Sequence, residues 1–297
     1  MPSRRQRWTQ PIGAAMDPDV SFSPKSDSRD APDYDRRTAY KIESEKQRKL
    51  KLLVLRVAAL SSALLYVVVQ HFDIELDIPL KSLLKATPIY FMLKLTLVLG
   101  DSHSYAFRLA AGLAFSAVGD VCLALEGAKA TGVLAELRPT LFLAGLGAFL
   151  IGHLCYCAAF LTNAVKVNTF SLVPFGMIAP VFLALKPSLD ERKLVLPVGG
   201  YCLVICAMME LAVSRVPNGH AALWSWRCSA LGATLFAISD SVLALNRFRG
   251  AIPQAQLIVM LSYYAAQYAI ALSSRGAIPR PLTSALGSVE NLAAKIK

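Results

Sequence analysis

Two aspartates stand inside apolar runs long enough to cross a bilayer. Asp120 lies in Phe115-Ser-Ala-Val-Gly-Asp-Val-Cys-Leu-Ala-Leu125, and Asp240 in Phe236-Ala-Ile-Ser-Asp-Ser-Val-Leu-Ala-Leu-Asn246. An ionisable side chain at membrane depth costs about 2.5–3.5 kcal/mol on insertion scales, so two in one local context point to a shared site. The plainer alternative is that each acid hydrogen-bonds neighbouring helices together. Two carboxyls in one dry cavity need not ionise together: one can hold a proton while the other carries charge. That division supplies a general acid and a general base, and it suits an acid-labile bond that breaks through an oxocarbenium-like state. The sequence holds no Gly-x-Ser-x-Gly nucleophile turn and no P-loop.

Other polar residues sit in apolar runs near these two. His153 and Tyr156 are three apart, on one face of a helix, and Tyr263 and Gln267 are four apart beside Tyr264. A lone His or Tyr in such a run is more often a hydrogen-bonded core residue; two acids and Lys85 alongside favour a polar cavity. Of four histidines only His153 falls inside a run. A zinc hydrolase uses three protein ligands and no His-based set can be assembled; Asp120, Asp240 and His153 could form a two-carboxylate, one-His set. No metal and no cofactor is expected. The six cysteines all lie in apolar runs without a Cys-x-x-Cys pair and read as small packing residues.

These residues need membrane helices to position them. Of 297 residues, 55% are hydrophobic, and the mean hydropathy is +0.47, too apolar for a soluble domain. The apolar blocks of about 20 residues match the hydrocarbon thickness. Eight spans follow, near 52–70, 79–99, 105–125, 140–162, 169–186, 193–213, 222–245 and 255–273, with Pro174 and Pro180 expected to kink the fifth. The expected fold is an all-α, polytopic membrane bundle of eight transmembrane helices over 51–273. Residues 1–50 read as a disordered polar tail on the cytoplasmic side, and 274–297 as a short C-terminal tail. The net charge of +11 sits in the tail and at span ends, so it suits anionic lipid headgroups rather than nucleic acid. The Asp phrases fall on the third and seventh spans, and Tyr156-Cys-Ala-Ala is echoed by Tyr263-Tyr-Ala-Ala, which suggests two four-helix parallel repeats. By direction of travel, Lys85, Asp120 and Asp240 should gather toward one membrane face, with Arg247 two turns, about 10 Å, nearer that surface.

At these residues the sequence resembles the lysoplasmalogenase family of integral membrane proteins, also called transmembrane protein 86 or YhhN-like. The likeness runs from about Lys85 to Ser273. It rests on Lys85-x-x-Pro88, Ser116-Ala-Val-Gly-Asp120, Gly152-His153-x-x-Tyr156, Ser239-Asp240 with Ala244-x-Asn246-Arg247-Phe248, and Tyr263-Tyr-Ala-Ala-Gln267. The resemblance implies an ether hydrolase of the endoplasmic reticulum membrane. It would cleave the vinyl ether of lysoplasmalogens to a fatty aldehyde and glycerophosphocholine or glycerophosphoethanolamine. On that reading Asp120 and Asp240 share acid and base duties, and His153 or Tyr156 orients one of them or the water. Lys85 and Arg247 hold the substrate phosphate, and Asn246, Tyr263, Tyr264 and Gln267 are further candidates for substrate contact. The expected partners are a vinyl-ether lysophospholipid and membrane lipids. Other readings of the buried acids are a proton-coupled transporter or a non-catalytic lipid-binding membrane protein.

Overall fold

The computed structural model describes residues 31–127, 133–163, 165–166 and 169–277. By contact the chain divides into Met1–Lys46 and Gln47–Lys297. Nine α-helices fall among the described residues: α1 (Ala31–His71), α2 (Ile78–Leu99), α3 (His103–Glu126), the short α4 (Val133–Glu136), α5 (Arg138–Phe160), α6 (Val173–Glu191), α7 (Val195–Val213), α8 (His220–Phe248) and α9 (Ala255–Leu272). Eight of them, all but α4, are long and apolar enough to cross a membrane. The described residues hold no strand beyond a lone bridge between Val165 and Arg215. The chain is an all-α, multi-pass integral membrane protein.

Three expectations need correction. Residues 31–50, expected to be unstructured, are helical. Lys, Arg, Glu and Gln fill this stretch and are good helix formers, and the apolar span that follows gives the helix a continuation to propagate from. Poor hydrophobicity argued only against burial, and 37–51 are indeed exposed. Residues 1–30 and 278–297 of the expected tails lie outside the described residues. The C-terminal boundary also moves: Ser273, Ser274 and Ala277 are buried, and the Gly276 amide donates to Asp101 Oδ2 at 2.7 Å. Finally, Pro174 does not kink a span but stands in the first turn of α6, where its missing N–H is not needed. A 3-10 turn, Thr169–Leu172, precedes it. Pro180 and Pro187 lie inside α6.

α3 packs against α2 and α5, and α9 packs against α8 and closes onto α2 and α3. α7 touches α5, α6 and α8, whereas no Cα of α5 comes within 8 Å of one in α6. These pairings do not establish a repeat. The core runs through Leu109, Leu113, Tyr156, Phe160, Met208, Phe236 and Ile270. Lipid tails are as apolar as these side chains, so close packing and interhelical hydrogen bonds hold the bundle. Two glycines show how close the approach is. A Cβ on Gly119 would stand 2.6 Å from the Phe149 ring, and one on Gly232 would stand 2.9 Å from the Ala266 carbonyl oxygen.

One end of the bundle is tied by Arg215, which is buried. Its guanidinium donates to Tyr105 OH at 3.0 Å, Ser229 Oγ at 2.7 Å, Ser225 Oγ at 2.9 Å and Asn163 Oδ1 at 3.0 Å. Ser225 Oγ in turn donates to the Ser273 carbonyl at 2.6 Å. This knot joins the start of α3, the start of α8 and the end of α9. The opposite end stays open.

Candidate active site

At that open end the helices part around a cavity of about 840 Å³, within the range of small-molecule sites, roughly 300–1,000 Å³. Its wall changes character with depth. The outer rim carries Asp73, Glu75, Asp77 and Lys81 from the α1–α2 connection and the first turn of α2, with Glu126 and Arg247 at the ends of α3 and α8. The inner wall is apolar, built by Phe149 of α5, Ile178 and Val181 of α6 and Ile205 of α7, and Phe142 and Val198 carry the apolar lining out toward the mouth. Between rim and inner wall lies a belt of Lys85, Asp120, Tyr201, Asp240 and Tyr263. Each belt residue stands about two helical turns in from Ile78, Glu126, Val195, Phe248 and Ala255, the helix ends at this face.

The two aspartates have different company. Asp120 is 1% exposed; Lys85 Nζ lies 3.3 Å from its Oδ1, and the Tyr263 hydroxyl donates to its Oδ2 at 2.6 Å. Both carboxylate oxygens therefore face donors, one of them a buried ammonium. Lys85 is itself held where α2 meets α9, since the Tyr264 hydroxyl donates to its backbone carbonyl at 2.9 Å. Asp240 is more open to the cavity, with 18% of its side chain exposed. The Tyr201 hydroxyl donates to its Oδ2. His153 Nε2 lies 3.0 Å from the same hydroxyl and 3.8 Å from Asp240 Oδ2. His153, Tyr201 and Asp240 thus form a chain along which a proton position can shift. The His153 ring stands edge-on to Phe236, centroids 4.6 Å apart, so its orientation is fixed by packing as well.

The remaining residues singled out from sequence are placed as follows. Tyr156 does not line the cavity: its hydroxyl donates to Gln267 Oε1 at 2.7 Å, and Ser116 Oγ lies 3.5 Å away. The pair lies behind the wall and leaves the buried Gln267 Nε2 without a partner among the described residues. Tyr264 is also behind the wall, while Tyr263 is on it. Asn246 lines the cavity, but its Oδ1 accepts the Ile252 amide at 2.9 Å and shapes the α8–α9 turn. Lys85 sits at the level of Asp120 and not at the rim. Arg247 is at the rim, donating to both Glu126 oxygens at 2.9 and 3.3 Å. Among the described residues no three His, Cys, Asp or Glu side chains converge to hold a metal ion, so Asp120, Asp240 and His153 are not assembled as ligands. The six cysteines are free.

Sequence reasoning missed Tyr201 and Glu126. Tyr201 follows Gly199-Gly200 in an apolar run, where a tyrosine looks like any core aromatic; only its apposition to Asp240 sets it apart. Glu126 ends the Asp120 phrase, and its spacing of six from Asp120, close to the seven between Asp240 and Arg247, was the available signal.

The YhhN family pattern matches residues 80–274. The chain belongs to the YhhN family. The matched stretch contains every belt residue. Among similar proteins, the lysoplasmalogenase TMEM86B of Homo sapiens is 33% identical over 206 residues, covering 67% of this chain and 77% of that protein. The lysoplasmalogenase TMEM86A of Homo sapiens is 31% identical and covers 65% of this chain and 77% of that protein. A lysoplasmalogenase of Mycobacterium bovis is 31% identical over a shorter stretch, 36% of this chain and 41% of its own length. No solved structure matches the chain.

Proposed function

We propose that this YhhN family member is a lysoplasmalogenase, a membrane-embedded hydrolase that cleaves the vinyl ether bond of a lysoplasmalogen with Asp120 and Asp240 as its acid–base pair. The observation that carries the mechanism is that the two aspartates line one cavity at one depth, each hydrogen-bonded by its own tyrosine. The activity itself comes from the relatives named lysoplasmalogenase in mammals and mycobacteria.

Vinyl ether hydrolysis begins with a proton delivered to the β-carbon, which leaves an oxocarbenium ion. Water adds to the α-carbon and loses a proton, and the resulting hemiacetal collapses to an aldehyde and an alcohol. The first step needs a donor; the cation needs a fixed negative charge, and the water needs a base. Charge balance divides these roles. Asp120 is matched by the Lys85 ammonium and by Tyr263, which suits a carboxylate that steadies the cation and takes the water proton. Asp240 has no lysine or arginine in ion-pair reach among the described residues and ends the His153–Tyr201 chain, which suits the donor. The apolar inner wall takes the aliphatic chain, and the charged rim takes the glycerophospho-base. A single-chain lipid can enter from the membrane, so no soluble access domain is needed.

We place the protein in the endoplasmic reticulum membrane, as the family resemblance implies, with the basic start of the α1 span, Arg48, Lys49 and Lys51, on the cytoplasmic side. The cavity mouth at the other end of that span then faces the lumen. Aldehyde release from a vinyl-ether lysophospholipid by the purified protein, run beside its saturated ether analogue, tests the activity. Product from the vinyl ether alone, abolished in Asp120→Asn and Asp240→Asn, is the expected result. A well-folded protein that releases no aldehyde overturns the hydrolase reading.

A further inference from the structure

The Arg247–Glu126 pair at the cavity mouth is built in a way that catalysis at the belt does not require. Arg247 donates to both Glu126 oxygens, and their side chains are 33% and 17% exposed. The guanidinium carbon also lies 3.9 Å over the centre of the Phe142 ring, and that ring stands edge-on to Phe248, centroids 6.2 Å apart. Arg247 is therefore held by its flat face as well as by Glu126, so the ring can keep it in place while its N–H edge, now on Glu126, changes partner. Glu126 is the last residue of α3, so its backbone is fixed whether or not its carboxylate is engaged.

We propose that this pair is the receptor for a zwitterionic headgroup. On binding, the phosphate of the lysolipid takes the Arg247 guanidinium, and the headgroup ammonium takes the Glu126 carboxylate. The exchange rests on the lysoplasmalogenase reading for the identity of the lipid, and charge balance limits which headgroups suit it. A purely anionic headgroup that captures Arg247 strands Glu126 in a half-dry site. A purely cationic one strands Arg247, and a neutral one cannot compete with the internal pair. Only a ligand with both charges side by side, as in phosphocholine or phosphoethanolamine, replaces one ion pair by two and leaves nothing bare. A planar, pre-stacked guanidinium is suited to fork onto phosphate oxygens. The position also fits: Arg247 stands two turns, about 10 Å, above Asp240 on α8, an interval that the glycerol bridge spans between a vinyl ether at the belt and a phosphate at the rim.

The test is binding of non-cleavable saturated ether lysolipids to the full-length protein in detergent, by competition against a labelled phosphocholine ether. The competitors carry phosphocholine, phosphoethanolamine, bare phosphate, or glycerol with no phosphate. Wild type should prefer both zwitterionic ligands over bare phosphate. In Glu126→Gln that preference should fall roughly tenfold, the loss of one charge-assisted contact. In Arg247→Gln all three phosphate-bearing ligands should weaken while the phosphate-free glycerol ether keeps its affinity. A wild type without headgroup preference overturns the proposal, even if neither variant folds. So does an equal shift for every ligand in Glu126→Gln, which is what a structural strut would give. Aldehyde release separates this from the reading beneath it. Selective binding without aldehyde removes the hydrolase and keeps the receptor, whereas aldehyde release with unaltered headgroup preference in Glu126→Gln does the reverse.

Discussion

Tyr263 on α9 donates its hydroxyl to the Asp120 carboxylate on α3 at 2.6 Å, across 143 residues of chain. The contact fastens the cavity floor, because Phe149 and Phe236 pack on the Tyr263 ring with centroids 6.0 and 5.4 Å away. One side chain thus sets the direction of a carboxylate oxygen and is itself fixed by two rings from two other helices.

Removing that hydroxyl while keeping the ring should therefore act on catalysis more than on folding. A hydrogen bond to a charged group contributes about 1.5–3 kcal/mol, so Tyr263→Phe should lower turnover roughly 10- to 100-fold. Tyr264→Phe unties only the Lys85 backbone carbonyl and should cost less. Steady-state aldehyde release beside thermal unfolding in detergent checks both; equal losses in the two variants would contradict the special place given to Tyr263.

His153 reaches Asp240 chiefly through Tyr201, with Nε2 3.0 Å from the Tyr201 hydroxyl. If the three act as one chain, their effects cannot add. Tyr201→Phe should lower turnover about as much as the Tyr201→Phe/His153→Gln pair, with His153→Gln alone milder. A double-mutant cycle on turnover reads this directly, and strict additivity would show that His153 works independently of Tyr201.

The legible part of this site was the part that violates the membrane's rules. Asp120, Asp240 and Lys85 stand out in sequence because charge is costly in hydrocarbon, and the spans stand out because their apolar length is dictated by the bilayer. Tyr201 violates nothing: a tyrosine in an apolar run is ordinary until its hydroxyl is seen to meet a carboxylate from another helix. The converse error comes from the same cause. Tyr156 and Gln267 look like residues free to meet a substrate, but the Tyr156 hydroxyl is held by Gln267 Oε1 at 2.7 Å across 111 residues, a pairing that no local pattern encodes. The early start of α1 was missed because low hydrophobicity was read as lack of structure, whereas Lys- and Glu-rich sequence favours an exposed helix.

Gly119 tests how closely packing and chemistry are joined. Its missing side chain lets the Phe149 ring lie against α3 one residue before Asp120, and a Cβ there would meet ring atoms at 2.6 and 2.7 Å. Gly119→Ala must push α5 away or turn Phe149, and Phe149 bears on Tyr263. We expect a stability loss of about 1–3 kcal/mol from overpacking and a fall in kcat larger than any rise in KM, since the belt moves and the rim does not. Kinetics showing a KM effect alone would place the disturbance at the mouth.

Arg215 makes the opposite prediction. It lies at the closed end, away from the cavity, and its guanidinium bridges Tyr105, Ser225, Ser229 and Asn163 while stacking on the Tyr105 and Phe160 rings at 5.0 and 5.8 Å. A lysine there keeps the charge but cannot fork across four partners, and its shorter list of donors leaves hydroxyl and amide oxygens unpaired in a dry site. Each buried polar group left without a partner typically costs about 1–3 kcal/mol. Arg215→Lys should therefore lower the unfolding temperature markedly while the protein that remains folded keeps the wild-type KM and headgroup preference. Thermal unfolding paired with aldehyde kinetics below the transition makes the comparison. A variant that is fully stable yet slow would mean that the closed end communicates with the belt, and the division of this bundle into a tied end and a working end would have to be given up.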